Sequence, residues 1–325
     1  MFQNNWQLKI ALIIGHTGQD GTYLKKFLLQ KGYFVVGLSS KEIFSNLKCH
    51  LDFGNIADSI YVNALIKKVV PDEIYYLAAV HQSSVDKKLD DFDLFQKSFS
   101  TNTLSLLNVL NAIRNQQPKC RLFYAASSHI FGNTSTEIQD EQTVINPNCI
   151  YGITKTAGID LCHFYKNNHN IFTSIGIFYN HESPLRSSKF VSKKIVETAV
   201  AIKSNKQHEL ILGDLSATID WGYAPDYVEA AYQILQADKA DDFIIATGEV
   251  HTVKDFVEQV FYQLGLDWTK YVREDSSIIT KQNKRKLLGN YSKLHKTTGW
   301  KPSVSFNQMI KILVDAELQN QLNSV

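Results

Sequence analysis

The chain has 325 residues, with 34 Lys and Arg against 32 Asp and Glu and 44% hydrophobic residues. That length is ample for a sizeable core, in one large domain or two lobes. A formal net charge of +2 gives no electrostatic case for a nucleic-acid partner, and the densest basic run, Lys281 to Lys286, is short. No stretch approaches the ~18 apolar residues of a membrane helix, and Met1 to Trp6 lacks the charged-then-apolar layout of a signal peptide. Cys49, Cys120, Cys149 and Cys162 are scattered without CxxC spacing, so neither a disulfide framework nor a metal site is implied. Cys162-His163 and Cys49-His50 read as structural pairs rather than ligands. The expectation is a soluble cytosolic protein with no membrane or nucleic-acid partner.

In chain order, Leu8 to Ile14 is an apolar run of the kind a buried parallel strand needs. It enters a glycine-bearing loop, after which Tyr23, Leu24, Phe27 and Leu28 recur at helical spacing until Gly32 closes the helix. Tyr33 to Leu38 reads as a second strand, Ser59 to Val69 as a helix and Glu73 to Ala78 as a third strand. A helix near Leu104 to Arg114, a strand at Leu122 to Ala126 and a helix from Tyr151 to Lys166 follow. Thr173 to Tyr179 and Phe243 to Ala246 complete the strands. This rhythm predicts an α/β protein, a doubly wound parallel sheet of Rossmann type with a smaller C-terminal substrate-binding lobe. Residues 1–178 and 222–250 are assigned to the cofactor-binding domain, and 179–221 and 251–325 to the smaller lobe. No internal repeat or low-complexity linker interrupts it.

Gly15, Gly18 and Gly21 form GxxGxxG between the first strand and the first helix. Gly15 permits the tight turn, Gly18 lets backbone approach a pyrophosphate, and Gly21 allows close helix–strand packing; the helix N-terminus then faces the anion. Tyr151 and Lys155 stand four apart, on one helix face. An ammonium beside a phenol is expected to lower its pKa from ~10 toward a useful range, so that Tyr151 can take a hydroxyl proton while hydride leaves carbon. Ser127, Ser128 and His129 lie at the carboxyl end of a predicted strand, where open α/β sheets place their chemistry. A serine hydroxyl there can hydrogen-bond the reacting oxygen; loop serines beside a turn glycine are the bland alternative.

Together these features resemble the extended short-chain dehydrogenase/reductase family. Gly18-Gln19-Asp20-Gly21-Thr22-Tyr23-Leu24, Pro71-Asp72-Glu73-Ile74-Tyr75, Asn180-His181-Glu182-Ser183-Pro184, Asp220-Trp221-Gly222, Phe243 to Gly248 and Gly299-Trp300-Lys301-Pro302 resemble the GDP-mannose 4,6-dehydratase branch, from about Leu8 to Ala316. The resemblance implies Tyr151 as base, Lys155 as its partner and ribose anchor, and Ser127 as ligand of the reacting hydroxyl. It implies a nicotinamide cofactor held by Gly15, Thr17, Gly18, Gln19, Asp20, Gly21, Ser39, Asn55, Ile56, Leu77, Ala78 and Ala79 with Tyr151 and Lys155. A nucleotide sugar, GDP-linked, is implied against Ser127, Ser128, His129, Asn180, Glu182, Arg186 and Lys194. The resemblance also implies a homodimer formed through helix packing as the minimal expectation.

The chain departs from the pattern in three places. Dehydratases of this branch place a glutamate two residues after the catalytic Ser/Thr, to take the C5 proton and help expel the C6 hydroxyl; here His129 stands there. An imidazole, of reference pKa ~6.5, is larger, differently shaped and partly protonated near neutral pH. Without the glutamate, the redox step at C4 is what survives. The leading expectation is therefore an oxidoreductase giving or reducing a 4-keto sugar without dehydration. A dehydratase using His129 as base and a C4 epimerase are the enzyme alternatives, and a cofactor-binding regulatory protein is the non-enzyme one. Second, Ile219 replaces the Arg before Asp-Trp-Gly and an Arg-Pro-x-Glu segment is absent, leaving Lys281, Lys284 or Arg285 to meet the nucleotide phosphates. Third, Leu38-Ser39-Ser40-Lys41 carries neither an acidic residue for a ribose 2′-hydroxyl nor an arginine pair for a 2′-phosphate. Ser39 and Ser40 can bond ribose hydroxyls and Lys41 a phosphate, so NAD is favoured slightly over NADP.

Overall fold

The structure, a computed structural model, describes residues 8–81, 89–275, 277 and 287–323. The first half runs β1 (Ile10–Ile14), α1 (Gln19–Gln30), β2 (Phe34–Leu38), β3 (Ile43–Ser45), α2 (Ser59–Val69), β4 (Glu73–Tyr76), α3 (Asp91–Phe99) and α4 (Ser105–Gln116). It continues through β5 (Arg121–Ser127), α5 (Ile150–His169), β6 (Thr173–Phe178), β7 (Asn180–Glu182) and α6 (Val191–Lys203). The second half holds β8 (Leu210–Leu212), β9 (Thr218–Ile219), β10 (Trp221–Tyr223), α7 (Ala224–Gln236), β11 (Asp242–Ile245), β12 (His251–Thr252), α8 (Val253–Gln263) and β13 (Val272–Glu274). The short α9 (Ser292–Thr298) and long α10 (Phe306–Asn323) follow.

Seven strands form the central sheet in the order β11-β6-β5-β4-β1-β2-β3. Every neighbouring pair is parallel except β2 with β3. The continuous apolar runs explain this. β4 and β6 are buried throughout, and β1 and β5 nearly so, as strands covered by helices on both faces must be. The chain leaves β1 toward β2, then crosses to β4 on the opposite side of β1. That reversal opens a crevice at the carboxyl ends of β1 and β4, the usual ligand position in such sheets.

The six parallel strands expected from the sequence are all present, and the doubly wound α/β architecture holds. The sheet edge beyond β2, however, is taken by the antiparallel β3, too short for its periodicity to register. The helix expected from Leu104 is longer as well. It starts as α3, loosens into a π turn over Ser100–Leu104 and resumes as α4.

Two hydrophobic cores are built. One lines both faces of the sheet and takes in residues such as Leu12, Val36, Phe123, Ile177 and Ile244. The other lies among α6, α8 and α10 and is built on Val196, Val200, Phe256, Val260, Phe261, Ile310 and Leu313. Two buried aspartates tie later segments to this frame. The Asp220 carboxylate accepts from Thr247 N at 2.9 Å, Thr247 Oγ1 at 2.6 Å, Gly248 N at 3.2 Å and Gly289 N at 3.3 Å. Burial nonetheless pushes its pKa up to about 6. Asp226, on α7, accepts from Ser303 N, Ser303 Oγ and Val304 N, while its carbonyl accepts from Trp300 Nε1. The Gly-Trp-Lys-Pro string is thus a clasp: Gly299 takes the left-handed φ of +78° that ends α9, and Trp300 is buried beside α7.

Candidate active site

The glycine loop leaves β1 into the crevice. Gly15 has φ +99°, and a Cβ there would lie 2.8 Å from Ala78 N, so only glycine lets the loop pass the end of β4. A Cβ at Gly21 would run into the Gly15 carbonyl oxygen, so α1 closes onto the loop only because residue 21 is glycine. Gly18 N donates to Gly15 O at 3.1 Å, and Gly18 caps α1 in an extended conformation with no side chain bonding the first turn. The leading N–H groups of α1 therefore point outward with the positive end of the helix dipole, an arrangement that fits a pyrophosphate. Leu77, Ala78 and Ala79 lie beside this loop at the end of β4, with Ala79 exposed. Asn55 and Ile56 belong to the turn before α2, where the Asn55 side chain accepts from Ala57 N.

The reacting centre is assembled from β5 and α5. Ser127 ends β5 with its Oγ accepting from His129 N at 3.3 Å, which starts a 3₁₀ turn over Ser128–Phe131. Tyr151 and Lys155 project from the first turns of α5, and the Ser127 hydroxyl acts on the Tyr151 phenol closely enough to oppose the rise of its pKa. Lys155 is fully buried, with Nζ donating to Ala125 O at 2.7 Å and standing 5.7 Å from the Tyr151 ring centroid. The spacing is as expected, but its electrostatic consequence differs. Burial pushes the Tyr151 pKa well up, with Asp20 adding to the rise and Arg186 and Ser127 only partly opposing it. Burial likewise pushes Lys155 down to about 7, against the pull of Asp20. Desolvation is the largest cause of both shifts, so the phenol rises where the spacing alone leads one to expect a fall. The phenol is thus protonated, the state of a group ready to give a proton to a keto oxygen.

Around Tyr151 lies a group of histidines. The His81 ring meets the Tyr151 ring edge-on at 4.8 Å and stacks on Phe190 at 5.8 Å. His129 meets Tyr151 edge-on at 5.7 Å, and its Nδ1 stands 3.6 Å from Cys149 Sγ. Cys149 also caps α5, accepting from Gly152 N. Among the described residues no cluster of His, Cys, Asp or Glu has the make-up of a metal site. His163 instead bonds Asp242 at 2.8 Å, and His50 bonds Asp52 at 3.1 Å.

A buried ion pair binds the glycine loop to β7. His181 faces Tyr179 O through Nδ1 at 2.7 Å and Asp20 Oδ1 through Nε2 at 3.0 Å, and it stacks on Tyr227 at 4.7 Å. Both ring nitrogens face acceptors, so the ring is satisfied as imidazolium against an ionised Asp20. Burial opposes both charges, yet their mutual attraction holds the His181 pKa above and the Asp20 pKa below its ordinary value. Gln19 adds a donor to His181 O at 3.1 Å and accepts from Ser183 Oγ at 2.8 Å. Glu182 is buried, accepting from Ser192 Oγ at 2.6 Å and pairing with Arg186 Nε at 3.2 Å, while the Arg186 guanidinium covers the Phe190 ring.

Asn180 is exposed at the start of β7. Lys194 sits on α6 with Nζ donating to Ile211 O at 2.8 Å, inside the smaller core's framework. Ser39 spends its hydroxyl on the turn after β2, accepting from Lys41 N and Glu42 N. Ile219 pairs with His251 in a short antiparallel ladder, and Lys281, Lys284 and Arg285 lie outside the described residues. Sequence reasoning missed His81, Cys149, the ion-pairing role of His181, and Asn102. The Asn102 amide accepts from Val80 N at 2.9 Å and donates to Thr154 Oγ1 at 2.9 Å, lashing the end of β4 to α5. Its only signal is the π turn it occupies, visible in three dimensions alone.

The doubly wound sheet, the glycine loop and the Ser–Tyr–Lys set define an enzyme of the short-chain dehydrogenase/reductase type. The family model described as GDP-mannose 4,6 dehydratase matches residues 12–313, and the chain belongs to that family. GDP-mannose 4,6 dehydratase 1 of Arabidopsis thaliana is 35% identical over 96% of this chain and 90% of that protein. The Homo sapiens GDP-mannose 4,6 dehydratase is 31% identical over 95% of this chain and 91% of its own length. Among solved structures, RMD from Pseudomonas aeruginosa complexed with NADPH shares the fold with a TM-score of 0.80 at 18% identity, covering 96% of this chain and 100% of that one. The dTDP-glucose 4,6-dehydratase of Bacillus anthracis in complex with NAD does so with a TM-score of 0.80 at 18% identity, covering 97% and 98%.

Proposed function

We propose that the chain is an NAD(P)-dependent oxidoreductase acting at C4 of a nucleotide-linked sugar, a GDP-hexose or GDP-heptose. It interconverts the 4-hydroxyl and the 4-ketone without removing water. What supports this reading is the set of Ser127, Tyr151 and Lys155 beside His129, which stands where the resemblance implies a dehydration glutamate. A bound nicotinamide would supply the hydride chemistry at C4. Tyr151 moves the proton on the C4 oxygen, Ser127 orients that oxygen through the hydroxyl it shares with Tyr151, and Lys155 holds the phenol's surroundings positive when charged. Elimination needs a further base for the C5 proton and an acid for the leaving hydroxyl. His129 Nδ1 faces Cys149 Sγ, and its ring lies edge-on to Tyr151.

Residues 1–178 with 222–250 would carry the cofactor, and 179–221 with 251–325 the sugar nucleotide. A homodimer is supported by apolar side chains left exposed on the helices beside the site: Phe92, Phe95, Leu104, Ile153 and Phe164. Light scattering should give twice the chain mass, and Phe164→Asp should halve it. A monomeric wild type would count against the dimer.

Family membership favours a second reading, dehydration with His129 as the base. Substituting His129→Glu separates the two. Under the C4 redox reading, the variant should gain a product lighter by one water while retaining C4 oxidation; unaltered product chemistry would leave residue 129 with no role in elimination.

A further inference from the structure

The Ser–Tyr–Lys set leaves one polar group beside it unused, the thiol of Cys149. Cys149 is half-buried and caps α5 in an extended conformation, two residues before Tyr151. Its Sγ accepts from Gly152 N at 3.4 Å, and its second contact is His129 Nδ1 at 3.6 Å. The histidine is held as firmly by its backbone. His129 N donates to Ser127 Oγ at 3.3 Å, and its carbonyl accepts from Gly132 N at 3.3 Å. A Cβ at Gly152 would lie 2.6 Å from that same carbonyl oxygen, so glycine there lets α5 close on the turn that carries the imidazole. Thiol and ring are therefore set against each other by the two elements that build the reacting centre.

The hydrogens available decide what this contact does. A thiol carries one, and a neutral imidazole carries one on either nitrogen. Sγ already receives the Gly152 N–H, so its own hydrogen is left to point at an acceptor, and Nδ1 stands beside it. With the ring hydrogen on Nδ1 instead, two donors would aim at one weak sulfur acceptor and the S–H would lose this partner. Nδ1 therefore accepts, and the ring hydrogen belongs on Nε2. In that state Nε2 is a donor without a lone pair. It can hold an oxygen of a sugar, but it cannot take a proton from carbon. A carboxylate in place of the thiol would impose the reverse, because it only accepts: the hydrogen would move to Nδ1 and leave Nε2 a base.

We propose that Cys149 is the positioning residue that makes His129 a hydrogen-bond donor instead of a base. The thiol holds the imidazole with its hydrogen on Nε2, the ring binds an oxygen of the sugar, and the carbon-bound hydrogens beside the ketone stay in place. The consequence for the sugar rests on the proposed reaction at C4; the placing of the hydrogen on the ring does not.

The test begins with long-range proton–nitrogen NMR correlation of protein carrying nitrogen-labelled histidine, at about pH 8, above the ~6.5 reference pKa of imidazole. Among the signals of the 10 histidines, those of His129 are the ones missing from His129→Asn. Wild type should show a bare Nδ1 and a protonated Nε2. Cys149→Ser, whose hydroxyl can make both contacts, should keep that pattern, and Cys149→Asp, a good helix cap, should reverse it. Reaction in heavy water with the GDP-hexose or GDP-heptose that wild type oxidises gives the second readout. Cys149→Asp should incorporate deuterium beside the ketone on the order of 100-fold faster than wild type, the lower end of what a positioned base is worth. Adding His129→Asn should abolish that gain. A hydrogen on Nδ1 in wild type overturns the proposal whether or not the variants fold. A ring unmoved in Cys149→Asp, or a reversed ring that brings no faster exchange, overturns it equally. The expected ring state in a wild type that oxidises no sugar nucleotide would instead defeat the proposed reaction and leave the assignment of Cys149 standing.

Discussion

Replacing Tyr151 by Phe should lower kcat by about 10²- to 10⁴-fold, the usual worth of a positioned acid–base group, while leaving cofactor binding unchanged. The substitution removes one oxygen and keeps the ring, whose edge contacts with His81 and His129 hold the local packing. Ser127 keeps its bond from His129 N, so β5 still enters the 3₁₀ turn. A loss confined to kcat, with dinucleotide affinity unchanged in fluorescence titration, identifies a group that acts in the transition state rather than in binding. Full activity in Tyr151→Phe would remove the catalytic assignment.

The second large effect is on stability. Asp20→Asn should cost about 3 kcal/mol, because it leaves His181 buried without its counter-charge. The pair joins residues 161 positions apart, the first turn of α1 and β7, so its loss loosens the glycine loop from the segment that follows the sheet. The pH dependence follows from the two shifts. Asp20 is depressed below 3.8, so its contribution is present above that value and is lost as pH falls through its lowered pKa. His181 is raised above 6.5, so its contribution is full below 6.5 and is lost as pH rises through its raised pKa. Urea titrations of wild type and Asp20→Asn should therefore differ most between about pH 4 and 6.5 and converge at higher pH. A difference that does not vary with pH would mean that the pair is not ionised.

Much of this was legible in the sequence because the relevant signals are local. The six parallel strands are short apolar runs since both sheet faces are covered, and glycines at 15 and 21 are dictated by backbone approaches that tolerate no Cβ. Tyr151 and Lys155 share a helix face by spacing alone. What the sequence conceals is contact between distant segments. His181 lies in a string that resembles the family's, but nothing in it says that its ring closes on Asp20. Glu42 reads as loop because a three-residue strand has no visible period, yet that strand turns it back to the glycine loop. The direction of the phenol's shift escapes a reading by spacing, which places the Lys155 stem and not its ammonium; burial directs that group to Ala125 O.

The measurement that bears most directly on the proposed chemistry is mass spectrometry of the sugar nucleotide recovered after incubation with GDP-hexose and GDP-heptose substrates, NAD and NADP being supplied separately. The expected product is lighter by two hydrogens, with an equivalent of cofactor reduced and no product lighter by water. A wild-type product lacking one water, formed with no net change in the cofactor, would contradict this chemistry and make His129 the base of a dehydratase.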